Sequence, residues 1–174
     1  GSPGSTGSTN GTGTSARFKY PTGITTDGKN LYVADGDNNK IRKIVIATGV
    51  VTTFAGSTTS GSVDGTGTSA RFNTPDHMTT DGTNLYVVDQ QNNTIRKIVI
   101  ASGAVTTLAG SAGSQGSTNG TGTTARFKTP RGITTDGANL YVADNANHTI
   151  RKIVISTGVV TTLAGSAGSS GSTD

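Results

Sequence analysis

The sequence contains no cysteine, no tryptophan and no glutamate. Without cysteine there are no disulfides, no thiol nucleophile and none of the Cys-based metal sites. All ten acidic residues are Asp, and with one Met and five Leu the good helix formers are scarce. That scarcity argues against a helical fold. Aromatic residues make up 5% and hydrophobic ones 30% of 174 residues, so a conventional packed core would be thin. No apolar run approaches the roughly 20 residues of a membrane span, and no signal-peptide pattern opens the chain. What fills the space is small: 26 Gly, 33 Thr and 17 Ser. Spread evenly, that composition would read as disorder. Here the apolar residues gather in short clusters rich in Val and Ile, which favours strands and turns.

A repeat organises those clusters. Ala16-Arg17-Phe18-Lys19-Tyr20-Pro21 recurs as Ala70-Arg71-Phe72-Asn73-Thr74-Pro75 and as Ala125-Arg126-Phe127-Lys128-Thr129-Pro130, at offsets of 54 and 55 residues. The units run 11–64, 65–119 and 120–174, and residues 1–10 match the linkers at 110–119 and 165–174. The second and third units are identical at 40 of 55 positions, which indicates recent duplication or design. Within the first unit, 23–26, 31–34, 41–47 and 50–55 read as four strands joined by Asp-Gly, Asp-Asn and Thr-Gly turns. Strand 41–47 carries apolar residues on both faces, so its sheet needs cover on both sides. Four-stranded antiparallel units of this length, stacked face to face, predict an all-β fold of propeller blades. Gly/Ser/Thr segments such as 56–64 and 110–119 read as flexible linkers.

The string P-x-G-I-T-T-D-G-x-N-L-Y-V-A-D-x-x-N-x-x-I-R-K-I, met at 21–44 and 130–153 and with departures at 75–98, resembles the NHL repeat. The resemblance covers essentially the whole chain. It implies blades of a propeller that commonly has about six, so three blades are expected to complete a ring by self-association. A homodimer leads, with a trimer or a filament as alternatives. The family includes bacterial surface proteins, RNA-binding modules and metal-dependent lyases, so the name gives a fold and leaves activity open. The surface members lend a lean towards a bacterial secreted or surface setting. The lyases use several histidines, and this chain has only His77 and His148.

Most motif residues have structural roles in this reading. Asp35, Asp89 and Asp144, followed three positions on by Asn38, Asn92 and Asn147, are expected to hold turns. Phe18, Phe72 and Phe127 are expected to insert between blades, with Arg17, Arg71 and Arg126 pairing with a turn Asp. Both chain ends are expected to pack against a neighbouring chain. Calcium at the turns lacks carboxylates, the glycine-rich GTGTSARF strings lack the lysine of a phosphate loop, and no serine has a histidine partner. Candidates for binding are therefore sought where the repeat is broken. At the start of the innermost strand the units read Thr22-Gly23-Ile24, Asp76-His77-Met78 and Arg131-Gly132-Ile133. Thr22, Asp76, His77 and Arg131 would meet at the mouth of the central channel. No catalytic residue, metal site or cofactor is assigned. The repeated pairs Arg42-Lys43, Arg96-Lys97 and Arg151-Lys152 offer a basic edge, but aromatic platforms for bases are missing, so a nucleic-acid partner is disfavoured. A non-enzymatic, self-assembling scaffold is the leading function, and a ligand- or RNA-binding module the alternative.

Overall fold

The computed structural model describes residues 1–171, mostly in strands and turns. The first sheet holds β1 (Gly11–Thr12), β2 (Pro21–Thr26), β3 (Asn30–Asp35), β4 (Lys40–Val45) and β5 (Val50–Gly56). The second holds β6 (Gly65–Thr66), β7 (Pro75–Thr80), β8 (Asn84–Asp89), β9 (Thr94–Val99) and β10 (Ala104–Gly110). The third holds β11 (Gly120–Thr121), β12 (Ile133–Thr135), β13 (Asn139–Asp144), β14 (Thr149–Val154) and β15 (Val159–Ala164). All three are antiparallel blades in the order β1-β5-β4-β3-β2 and its equivalents. The membrane-crossing helix that the sequence lacks is also absent among the described residues.

Each blade thus has five strands where the sequence predicts four. The extra strand is two residues long and pairs Gly11 with Val51 and Thr12 with Val50. It forms because the linker does not cross straight to the inner strand. It first runs to the outer edge of the blade it is about to build, and covers backbone groups that would otherwise be open to pairing. A Gly-Thr dipeptide carries no alternation that could announce a strand.

Turn chemistry fixes the hairpins. Asp27 Oδ1 accepts the N–H groups of Lys29 (2.8 Å) and Asn30 (2.6 Å), and its Oδ2 accepts the Tyr32 hydroxyl at 3.0 Å. Asp81 and Asp136 repeat this arrangement with Tyr86 and Tyr141. Between the third and fourth strands each blade makes a short 3-10 turn ending on a left-handed residue. These residues are Asn39 (φ 54°), Asn93 (φ 57°) and His148 (φ 58°).

One buried hub locks each linker to its blade. Arg42 Nη1 donates to Asp35 Oδ2 and to Arg17 O, both at 2.9 Å, and Nη2 donates to Thr9 O and Asn10 Oδ1. Asp35 also accepts the Lys19 N–H at 2.7 Å and the Asn38 side chain at 2.9 Å, and Asn38 reaches on to Gly7 O. The guanidinium lies 5.1 Å from the centre of the Phe18 ring. Arg96 with Asp89 and Phe72, and Arg151 with Asp144 and Phe127, repeat the hub, and all three Arg–Asp pairs are fully buried.

These hubs correct three expectations. The arginines that pair with Asp are Arg42, Arg96 and Arg151. Arg17, Arg71 and Arg126 instead donate to backbone carbonyls of their own 3-10 turns. The linkers are tied down despite their composition: Gly61 N–H donates to Phe72 O and Arg71 N–H to Val63 O. The N-terminal segment packs on its own blade, with Gly7 N–H on Phe18 O and the Ser2 hydroxyl on Thr14 O. At the other end, residues 172–174 of the last linker lie outside the described residues.

The core lies between blades. Tyr32, Ala34, Ile41 and Ala55 of the first blade pack against Phe72, Met78, Leu85, Val87 and Ile98 of the second. Tyr86, Val88, Ile95 and Ala109 of the second pack in the same way against Phe127, Leu140, Val142 and Ile153 of the third. Small residues let the inner strands approach: a Cβ on Gly23 would lie 2.6 Å from both Asp76 O and His77 Cα.

Candidate functional site

At the inner ends of the blades, Thr22, Asp76, His77 and Arg131 line one cavity of about 320 Å³ together with Tyr20 and Gln90. The repeat delivers one such position from each blade, and unlike residues meet because each unit is broken differently there. Asp76 is nearly buried, and its Oδ1 stands 3.2 Å from Nδ1 of the more exposed His77. The Thr22 hydroxyl donates to Asp76 O across the first blade junction at 3.3 Å. Arg131 is exposed on the third blade. The cavity therefore offers a carboxylate, an imidazole, a guanidinium and the Gln90 amide to a small polar molecule.

Gln90 and Tyr20 escaped the sequence reading. Gln90 opens the 3-10 turn after β8, is only 8% exposed and lines the cavity beside Asp76. The signal was present in the repeat: the equivalent residues are Gly36 and Asn145. Tyr20 likewise stands where the other units have Thr74 and Thr129. Among the described residues, no three His, Asp, Glu or Cys side chains gather as a metal would require. His148 does not join His77; it sits at the turn between β13 and β14.

The basic edge is not as the sequence suggested. The arginine of each Arg-Lys pair is fully buried in a hub, which leaves only Lys43, Lys97 and Lys152 as its repeating cations.

The two end faces form the other unusual surface. Ile24 on the first blade is 59% exposed, whereas its equivalent Met78 is 6% exposed against the blade before it. On the third blade Ile150 is 40% exposed, where Ile41 and Ile95 are both fully buried by the blade after them. Leu163 is 57% exposed on that same face, and Ile46 is exposed on the first. Phe72 and Phe127 insert between blades as expected; Phe18 stands at the open end and is only half-buried.

No family model matches the chain. Over 163 residues it is 31% identical to human "NHL repeat-containing protein 2", a match that covers 85% of this chain and 22% of that protein. A solved structure of a Bacteroides thetaiotaomicron protein of unknown function superimposes with a TM-score of 0.66 at 33% identity. That superposition covers 71% of this chain and 32% of the other. An auxiliary nutrient binding protein from Bacteroides ovatus aligns with a TM-score of 0.65 at 20% identity, over 86% of this chain and 37% of its own, which speaks for the fold alone. The chain thus spans less than a quarter of its human relative and about a third of each of these solved chains. With the repeat motif, the five-stranded blades and these relatives in agreement, the chain belongs to the NHL-repeat family of β-propellers.

Proposed function

We propose that the protein is a non-enzymatic scaffold that associates head to tail with a second copy of itself, the pair closing a six-bladed ring. The observation that carries this reading is the matched pair of open faces. The face of the first blade that exposes Ile24 is the one the second and third blades bury against their predecessors. The face of the third blade that exposes Ile150 and Leu163 is the one the first and second bury against their successors. Repetition has made the two complementary, and such an interface is heterologous. Four strands about 4.8 Å apart and about five residues long give roughly 300 Å² per face before side chains are added. That is already near the size of patch that monomers leave exposed.

Light scattering coupled to size exclusion tests the reading. The expected mass is twice the 17.4 kDa of one chain, falling to one chain for Ile150→Asp and Leu163→Asp. A parent that stays at the single-chain mass at high concentration overturns it. Catalysis has no support in this reading beyond the Asp76–His77 contact.

A second reading, binding of a small polar molecule at the channel mouth, is favoured by the nearly buried Gln90, which lines the cavity together with Asp76, His77 and Arg131. It is tested by thermal shift with free amino acids and monosaccharides as probes. A shift lost in Gln90→Ala and Arg131→Ala supports it. RNA binding is weakened as an alternative by the burial of the three hub arginines. The 33% identity to a Bacteroides thetaiotaomicron protein supports a bacterial origin for the chain.

A further inference from the structure

The internal blade junctions share one polar contact that the open ends lack. Across the first junction the Thr74 N–H donates to Asn39 Oδ1 at 2.9 Å, and across the second the Thr129 N–H donates to Asn93 Oδ1 at 2.8 Å. Donor and acceptor residues both have left-handed backbones, with φ of 53° and 48° at Thr74 and Thr129. The same backbone stands ready at the ends, since Tyr20 has φ 53° and His148 φ 58°. Only the side chains differ: histidine replaces the accepting asparagine and tyrosine replaces threonine. The two breaks in the repeat fall on the two halves of one contact, and both on the faces that a second copy would join.

We infer that His148 of one copy and the Tyr20 N–H of the next form a proton-sensitive junction, closed by the neutral imidazole and loosened by the imidazolium. The inference rests on the head-to-tail assembly proposed above. Nδ1 of histidine is two bonds from Cβ, as Oδ1 of asparagine is, so the ring can present a lone pair where the amide presents its oxygen. A protonated ring carries N–H at both nitrogens and cannot accept. The Tyr20 N–H would then be enclosed without a partner, which is costly for a buried donor.

The charged groups around the junction do not substitute for that acceptor. On the hairpin of His148, Asp144 is buried and committed to Arg151 and Asn147. The described segment that follows β15 brings only Gly165, Ser166, Ser169, Ser170 and Gly171 beside His148. The incoming face brings Lys19, whose Nζ lies 3.6 Å from Asp37, and the exposed Tyr20 ring. Lys19 and Asp37 offset one another, so the incoming face brings no net charge to favour an imidazolium.

Dissociation constants of the self-association, measured by sedimentation at about pH 8 and about pH 5.5, span the range in which imidazoles titrate. The expected result is an association at least tenfold weaker at the lower pH, on the order of the loss of one buried hydrogen-bond partner. His148→Asn restores the internal chemistry and should associate equally at both pH values. His77→Asn should keep the dependence of the parent. Equal association of the parent at both pH values overturns the inference while leaving the assembly standing. So does tighter association at low pH, which would mean that the Tyr20 ring favours the imidazolium. Failure of every variant to associate at either pH overturns the assembly and this junction with it.

Discussion

The middle blade and the two that flank it have nearly the same sequence, yet their side chains live in different surroundings. In the second blade both faces are covered, and Leu85, Tyr86, Ile95 and Ile98 are fully buried. In the first, Ile24 and Ile46 face solvent, and in the third Ile150 and Leu163 do. The Arg–Asp hubs do not share this difference, for they are fully buried in all three blades. Two kinds of stabilisation are thus separated in one chain. The hub belongs to a single blade and its linker and is indifferent to neighbours; apolar cover belongs to the junction and exists only where two blades meet.

The largest expected effects test the hub. Asp35→Ala and Asp144→Ala each leave a buried guanidinium without a carboxylate, which costs about 3–5 kcal/mol. That exceeds the roughly 1 kcal/mol of a simple turn cap. Asp89→Ala leaves Arg96 with Asp64 at 2.7 Å and should cost less. Asp35→Ala and Asp144→Ala should differ little in urea unfolding, because each hub is internal to its blade and linker. A much larger loss for Asp89 than for the end copies would mean that the hub draws on neighbouring blades after all.

Phenylalanine truncation should separate the blades instead. Phe72→Ala and Phe127→Ala remove fully buried rings and should cost about 3–5 kcal/mol. Phe18→Ala, at the open end, should cost clearly less in dilute protein. Its cost should rise towards the others as concentration rises if a second copy covers that face. Melting curves across a dilution series read both.

Glycine gives a finer comparison. Gly23→Ala must push against the Asp76–His77 backbone and should cost about 1–3 kcal/mol, whereas an alanine at Gly132 meets only the Ala143 side chain at 3.6 Å. Gly132→Ala should therefore leave the melting of the single chain nearly unchanged. In an assembled ring Gly132 would take the place that Gly23 has at the first junction, so the same substitution should weaken association.

The smallest effect concerns pH and the hairpin turns. Burial tends to raise the Asp27 carboxyl, but hydrogen bonds from Asn30, Lys29 and Tyr32 outweigh it and hold the group well below the usual carboxylate range. Asp81 is lowered in the same way. A depressed carboxyl contributes stability that is complete above its unfolded value near 4 and is lost as pH falls through the folded one. Burial and the same contact push Tyr32 up to about 12, so its contribution is lost as pH rises from about 10 towards 12. Asp27→Asn should flatten both limbs of the stability curve slightly, and an unchanged curve would show that the turn carries no pH dependence.

Much of the architecture was legible because period and turn chemistry are local. The offsets of 54 and 55 residues set the units, and Asp-Gly and Asp-Asn turns set strand ends to within a residue or two of those observed. The four channel-mouth residues were legible as breaks in the repeat, and they do line one cavity. Gln90 was equally a break, but it lies after β8 rather than at the start of an inner strand, and only the turn of the chain brings it beside Asp76. The fifth strand was not legible, since two residues of Gly and Thr have no pattern to read.

Sequence alone determined the all-β class, the count of three units and the order of the four longer strands within each, because antiparallel hairpins with short turns leave few alternatives. It also marked which residues are unlike their repeats. Tertiary structure decided which arginine of each unit is buried, because that depends on where the linker returns across the sheet. It ordered linkers that composition alone describes as flexible, by giving their backbone groups partners in Arg42, Asn38 and their equivalents. And it decided which faces stay open, since identical apolar residues are buried or exposed according to whether another blade stands beside them.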